Sequence, residues 1–282
     1  MSTCFTPATT LRQSTPRHVG PHLGRVGAPR TSFRVEGLTR NIHVKIASHR
    51  HEFAQAYELL AANYRARGYE APGDKPFRFT PYHALPGTVT LVALDDDHAV
   101  VATLTLVADS HALGLPMEAI YAGEIDRLRQ AGLRPAEAIS LADSGLSIRE
   151  FVQVFKALIR LAMQYHASRG GDCWTITVNP RHSSFYQKVL GFAPLGPRRC
   201  YPSVQNHPAE AYLLTVSALR RQAPQMYGEV FGTPLPVAVL APARWSEEHV
   251  RYFGARSSQL DAADLDDLLD AITPGDPGAS SC

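Results

Sequence analysis

The stretch from Ala136 to Val178 constrains the fold of this chain most. Ala136–Ala142 reads as a short strand. Ile148–Ser168 repeats apolar residues at helical spacing and stops at Gly170-Gly171, and Cys173-Trp-Thr-Ile-Thr-Val178 is a mixed apolar run suited to a buried strand. A strand, a long helix and a second strand in that order imply a parallel crossover. Antiparallel segments surround it. Thr88–Leu94 and Ala99–Val107 flank the acidic turn Asp95-Asp-Asp97 and read as a hairpin. His43–Ala47 alternates as a strand, and Phe53, Tyr57, Leu60 and Tyr64 recur at helical spacing up to Gly68. Glu118–Arg129 reads as a helix and Tyr212–Val216 as a further strand. The expected class is α/β (α+β mixed): a mostly antiparallel sheet with a parallel central pair and helices on both faces.

The 282 residues are 45% hydrophobic, enough for a sizeable core, and no apolar run approaches the ~18 residues of a membrane span. A formal net charge of +2 does not argue for nucleic acid as a partner. Cys4, Cys173, Cys200 and Cys282 form no CxxC pair, so neither a zinc site nor a disulfide framework is expected, and a cytoplasmic location fits. His51-Glu52 lacks the second histidine of a metalloprotease helix, and no metal is expected. Residues 1–40 carry Arg12, Arg17, Arg25, Arg30, Arg34 and Arg40 against one acid, Glu36. They read as a disordered basic tail, with a transit peptide as the alternative and no secretory signal. Residues 257–282 read as an acidic tail in which Leu265, Leu268, Leu269 and Ile272 suggest a short amphipathic helix, docked or free. The folded domain is expected over 41–256.

Chemistry is expected at the carboxyl end of the second strand of the crossover. Val178 to Phe192 reads as a strand end, an Asn-Pro turn, one short helix, then Gly191 and a new strand. It places His182 and Tyr186 at the strand's mouth, where α/β proteins tend to hold their sites.

The order of elements resembles the GNAT acyltransferase fold, and the local motifs resemble its N-acyl amino acid synthase branch, related to the acyl-homoserine lactone synthases. Four pieces carry the resemblance: Tyr64-Arg-Ala-Arg-Gly-Tyr69; Gly114-Leu-Pro-Met117 with Glu124-Ile-Asp-Arg-Leu-Arg129; Ala136-Glu-Ala-Ile-Ser-Leu-Ala142; and Val178 through Phe192. Together they cover about residues 43–216. The resemblance implies an N-acyltransferase that moves a long fatty acyl group from an acyl carrier protein thioester to the amino group of an amino acid. A CoA-dependent N-acetyltransferase and a GNAT-shaped binding or regulatory module without turnover are the alternatives. Acyl-CoA-using GNAT enzymes carry a glycine-rich loop before the long helix, whose bare N–H groups cradle pyrophosphate. Here the segment is Ala142-Asp-Ser-Gly-Leu-Ser-Ile-Arg-Glu150, with one glycine, bulky Leu146 and Ile148, and Asp143, which repels phosphate. Ser147-Ile-Arg-Glu150 fits a capping box instead. No cofactor is therefore expected, and acyl-CoA is the less favoured donor.

Aminolysis of a thioester needs a base for the amine, N–H donors for the oxyanion and a proton for the departing thiolate. Tyr186 is the candidate acid, with a packed aromatic as the alternative reading. Glu137 is the candidate base, because alternation sets it beside Ile139, Leu141 and Asp143 on one strand face, where partial desolvation raises its pKa; a structural ion pair is the alternative. Leu141 stands where lactone synthases carry an arginine. His182 is the candidate proton shuttle, or simply a residue of the helix's first turn. Asn179 and Asp143 are the candidate substrate contacts. Oxyanion donors are expected where the Ala99–Val107 strand splays from the Trp174–Val178 strand. On the long helix, Arg149, Gln153, Lys156, Arg160 and Gln164 run opposite the apolar stripe Phe151, Phe155, Leu158, Ala162 and Tyr165. Arg149, Lys156 and Arg160 are the candidate docking residues for an acidic carrier protein, with an ordinary solvated face as the alternative.

Overall fold

The computed structural model describes residues 31–243 and 245–272. The strands are β1 (Ser32–Arg34), β2 (His43–Ile46), β3 (Val89–Leu94), β4 (Val100–Ala108), β5 (Pro135–Asp143), β6 (Cys173–Val178), β7 (Ala193–Tyr201) and β8 (His207–Thr215). The helices are α1 (Arg50–Ala66), α2 (Glu118–Gln130), α3 (Ile148–Ser168), α4 (Ser183–Lys188), α5 (Val216–Gln222), α6 (Pro224–Phe231), α7 (Glu247–Gly254) and α8 (Ala262–Ile272). The strands form one sheet in the order β1-β2-β3-β4-β5-β6-β8-β7. Among the described residues every pairing in it is antiparallel except β5 with β6, the crossover bridged by α3.

Strand alternation sorts the core into two sides. Leu91 and Ala93 of β3 join Val154, Leu158 and Leu161 of α3 in one cluster, together with Ala223 and Val230 beneath the sheet. Val92 and Leu94 point the other way, into a cluster with Phe53, Ala56 and Tyr57 of α1 and Phe253 of α7. Val107 faces that second side too, where it meets Met117, Tyr121 and Ile125 of the α2 segment. α1 and α2 therefore cover one face, and α3 covers the other.

The fold reaches further in both directions than 41–256. β1 pairs with β2 through Ser32↔Lys45 and Phe33↔Val44, inside the segment read as a basic tail. At the other end Ser257 is fully buried and bonded to both Phe79 N and Phe79 O. α8 then buries Leu268 and Leu269 against the α1 side, so the amphipathic helix is docked. Residues 1–30 and 273–282 of the expected tails lie outside the described residues.

Candidate active site

β5 and β6 pair only at their beginnings, through Pro135↔Cys173, Ala136↔Trp174 and Glu137↔Thr175. Beyond that point the strands part. The separation lies between β5 and β6, not between β4 and β6 as the sequence suggests, because β5 is inserted between them in the sheet. A bulge in β5 accompanies it: Thr105 faces Ile139 and Thr103 faces Ala142, so Ser140 and Leu141 together oppose Leu104. Ser140 takes a left-handed conformation, φ 59°. Such a bulge bends its strand and leaves backbone groups unpaired. It also reverses the alternation after Ile139. Glu137 and Ile139 face α2, whereas Leu141 joins Ala138 in the cluster under α3, so the expected common face of Glu137, Ile139, Leu141 and Asp143 is broken.

A cavity of about 780 Å³ runs through this split. On the α1 and α2 side it is polar, lined by Tyr64, Arg67, Arg78, Tyr82, Glu137 and Tyr201. On the α3 side it is apolar, with Leu141, Phe151, Phe155, Ile159, Ile176 and Phe185 in its wall.

Glu137 sits at the polar side of the split, 1% exposed. Oε2 accepts from the Met117 N–H at 2.7 Å, and Thr177 Oγ1 donates to Oε1 at 3.4 Å. No cation pairs with it among the described residues. Burial pushes its carboxyl up to about 8, against the opposing pull of the Met117 and Thr177 bonds. Around it burial holds the Tyr64, Tyr82 and Tyr201 hydroxyls protonated, and the Glu137 charge adds to this.

Tyr186 is on α4, on the opposite side of the sheet. Its ring meets Phe155, Phe185 and Phe192 edge-on, with centroids 5.5–6.5 Å away. Tyr186 lines the cavity, and its hydroxyl makes no hydrogen bond to another described residue. Burial, with Tyr64 nearby, pushes it up to about 12, so it stays protonated. The ring is thus fixed by its neighbours while the hydroxyl has no hydrogen-bond partner among the described residues.

His182 lies at the exposed mouth, in the short 3-10 turn Pro180–His182. Arg181 Nε donates to His182 Nε2 at 2.9 Å, which occupies that lone pair. Partial burial, then the charges of Arg181 and Arg67, lower its pKa and keep it neutral. Asn179 caps the same turn, its Oδ1 accepting from Arg181 N at 3.2 Å. Asp143 lines the cavity, but its Oδ1 accepts from the N–H groups of both Gly145 and Leu146 at 2.9 Å. Ser147 N donates to Glu150 Oε2 and Glu150 N to Ser147 Oγ, completing the capping box. The backbone donors of residues 145, 146, 147 and 150 are thus all taken within the loop.

The polar stripe of α3 is not one open face. Arg149 is exposed beside Ile148, which is 85% exposed at the cavity mouth. Further along, α6 and the irregular segment after it lie on the helix. Lys156 pairs with Glu229 at 3.2 Å, Arg160 donates to Thr233 O at 2.8 Å, and Gln164 is buried and bonded to Val230, Thr233 and Leu235. Arg198 and Arg199, two further basic residues on β7, pair with Glu210 and Glu124.

Tyr82 and Tyr201 line the site without any sign in the sequence, whereas Arg67 and Arg181 lie inside quoted motifs that mark no role for them. Tyr64 belongs to one of the quoted motifs but, by spacing, looks like one more core residue of α1.

A mixed sheet opened at its parallel pair, with the crossover helix beneath the split and a cavity passing through it, is the architecture of a GNAT N-acyltransferase. The model of the N-acyl amino acid synthase FeeM family matches residues 55–215, and the chain belongs to that family. The solved structure of FeeM, an N-acyl amino acid synthase from uncultured soil microbes, is 29% identical, with a TM-score of 0.57 over 67% of this chain and 98% of that one. The acyl-homoserine lactone synthase LasI is 12% identical, with a TM-score of 0.46 over 69% of this chain and 96% of that one. No curated protein matches the sequence.

Proposed function

We propose that this N-acyltransferase joins a long fatty acyl group, delivered as an acyl carrier protein thioester, to the amino group of an amino acid. The observation that carries this reading is the two-sided cavity: polar around a neutral, buried Glu137 and apolar around a free Tyr186 hydroxyl. The acyl chain lies on the α3 side and the amine enters from the α1 and α2 side, so they meet in the split. Glu137, with a pKa near that of an α-amino group at ~8, takes the proton as the amine attacks the thioester carbonyl. Backbone N–H groups at the β5 bulge serve the oxyanion that forms. As the tetrahedral intermediate collapses, the C–S bond breaks and the Tyr186 hydroxyl donates to the departing sulfur. His182 and Asn179 border the acceptor entrance.

The carrier-protein donor is favoured over CoA by the loop before α3, where the N–H groups of Gly145, Leu146, Ser147 and Glu150 are already bonded within the protein. A phosphopantetheine arm needs no pyrophosphate cradle. Arg149, exposed beside the mouth, is the contact for an acidic carrier surface; Lys156 and Arg160 act there only by releasing Glu229 and Thr233. A cytoplasmic location accompanies this donor. The test is mass spectrometry of products from the purified protein with palmitoyl carrier protein, palmitoyl-CoA and a panel of amino acids. N-palmitoyl amino acid formed preferentially from the carrier donor is the expected result; acetyl or CoA preference would refute the donor assignment.

A further inference from the structure

A second cavity, about 620 Å³, lies on the far side of α3, between β1, the end of α4 and α6. Its wall includes Phe33, Val35, Leu190, Met226 and Val230. The two cavities share two lining residues, Phe155 and Ile159. These stand one turn apart on α3, so their side chains stack on one face of the helix. Both are buried, at 3% and 7% exposure. The partition between the apolar end of the substrate cavity and the second cavity is therefore one layer of side chains thick. Phe155 is braced on the substrate side by Phe151, with ring centroids 5.7 Å apart, and by Phe185 at 5.9 Å.

We propose that Phe155 and Ile159 form the end wall of the acyl site and set the longest chain it accepts, with the second cavity a latent extension for the ω-end of a longer chain. The inference rests on reading the first cavity as an acyl site. Continuity supports the chosen occupant: an extended alkyl chain entering through the split meets Phe155 and Ile159 last, and beyond them lies a cavity whose wall combines apolar Val35, Leu190 and Met226 with the charged pair Lys156 and Glu229. Each methylene that finds apolar surface gains about fourfold in affinity, and each one stopped by the wall gains nothing.

The experiment is calorimetric binding of saturated acyl-pantetheine thioesters, octanoyl to eicosanoyl, to the full chain, read beside product formation. For the wild type, affinity should climb by about fourfold per methylene and then level at a defined length. Phe155→Ala should move that limit outward by several carbons. Ile159→Ala, a smaller cut that keeps the aromatic contacts, should move it less, and it decides the matter if Phe155→Ala does not fold. Adding Met226→Trp to either variant fills the second cavity and should pull the limit back. An unchanged limit in a folded Ile159→Ala or Phe155→Ala protein overturns the wall while leaving the reaction standing. A length limit that moves in a protein forming no N-acyl amino acid overturns the reaction and keeps the wall. Failure of the wild type to bind any of the thioesters overturns both.

Discussion

Glu137 stays neutral at pH values where an ordinary surface carboxylate is ionised. It is buried without a cation, and the two hydrogen bonds it accepts do not outweigh the loss of water. In the proposed reaction it must be ionised to accept a proton, so kcat/KM should rise with pH to a limb near 8. Glu137→Gln removes the base but keeps the shape, and kcat should fall by about 10²–10⁴-fold. The same group predicts an effect on stability. Below about 4.5 both folded and unfolded chains hold the proton, and burial costs nothing electrostatically. Between 4.5 and about 8 the unfolded chain releases a proton that the folded chain retains, so wild-type stability declines through that window and is level above it. The Gln variant does not titrate. Its melting temperature should therefore gain on the wild type from pH 5 to pH 8, a divergence that scanning calorimetry across that range reads directly. Tyr186 offers the matching test on the other side of the split. Because its ring is fixed by three aromatic neighbours and its hydroxyl bonds to no described residue, Tyr186→Phe should leave folding unchanged and lower kcat by about 10²-fold, with little change in KM. Unaltered turnover would reduce Tyr186 to a packing residue.

At the level of single elements, the parallel pair, the hairpin and the long helix are all legible in the sequence, because each follows from periodicity that burial enforces. Glu137 and Tyr186 are legible too, one from strand alternation and one from its place after a strand. The bulge at Ser140 is not, since a serine with positive φ leaves no mark in composition, and it turns Leu141 to the opposite face. Tyr82 and Tyr201 reach the site only through tertiary packing. The stripe on α3 misleads for a different reason. Arg160 and Gln164 look like a solvated face, yet their partners are backbone groups of a segment about 70 residues later. A polar side chain that bonds another segment's backbone has the same letter as one that bonds water. Gln164 gives this physical content. Its amide donates to Val230 O and Thr233 O and accepts from Leu235 N, all from a buried position. Gln164→Leu strands those groups and should cost about 2–4 kcal/mol in denaturant unfolding, whereas Lys156→Gln, which breaks a half-exposed pair, should cost under ~1 kcal/mol.

For the molecule as a whole, the sheet is a single wall split at its parallel pair, and in the proposed reaction what lies on each side sets which substrate enters where. The α3 side is closed by helices contiguous with the crossover. The α1 side is completed from a distance by the C-terminal segment. Phe253 meets Phe77, Phe79 and Tyr57 in an aromatic cluster. Ser257 ties down Phe79, and Ser258 donates to Glu70, which in turn holds Arg78 at the cavity. Gln259, from the stretch that composition alone marks as an acidic tail, lines the cavity itself. The segment is thus a strut for the polar side of the cavity as well as a cover for the α1 cluster. Ending the chain at Arg256 should uncover Val250, Phe253 and neighbouring apolar residues and remove Leu260, Leu268 and Leu269 from the core. With about 1.5–3 kcal/mol for each large side chain and roughly 2–4 °C per kcal/mol in a domain of this size, the melting temperature should fall by about 10 °C or more. The kinetic signature is the sharper measurement. Below the new melting temperature, KM for the amino acid should rise, because Arg78 and Gln259 lose their fixed positions. The acyl-chain preference should hold, because its wall lies across the sheet. Equal losses for both substrates would mean that the segment stabilises the fold without shaping the acceptor site.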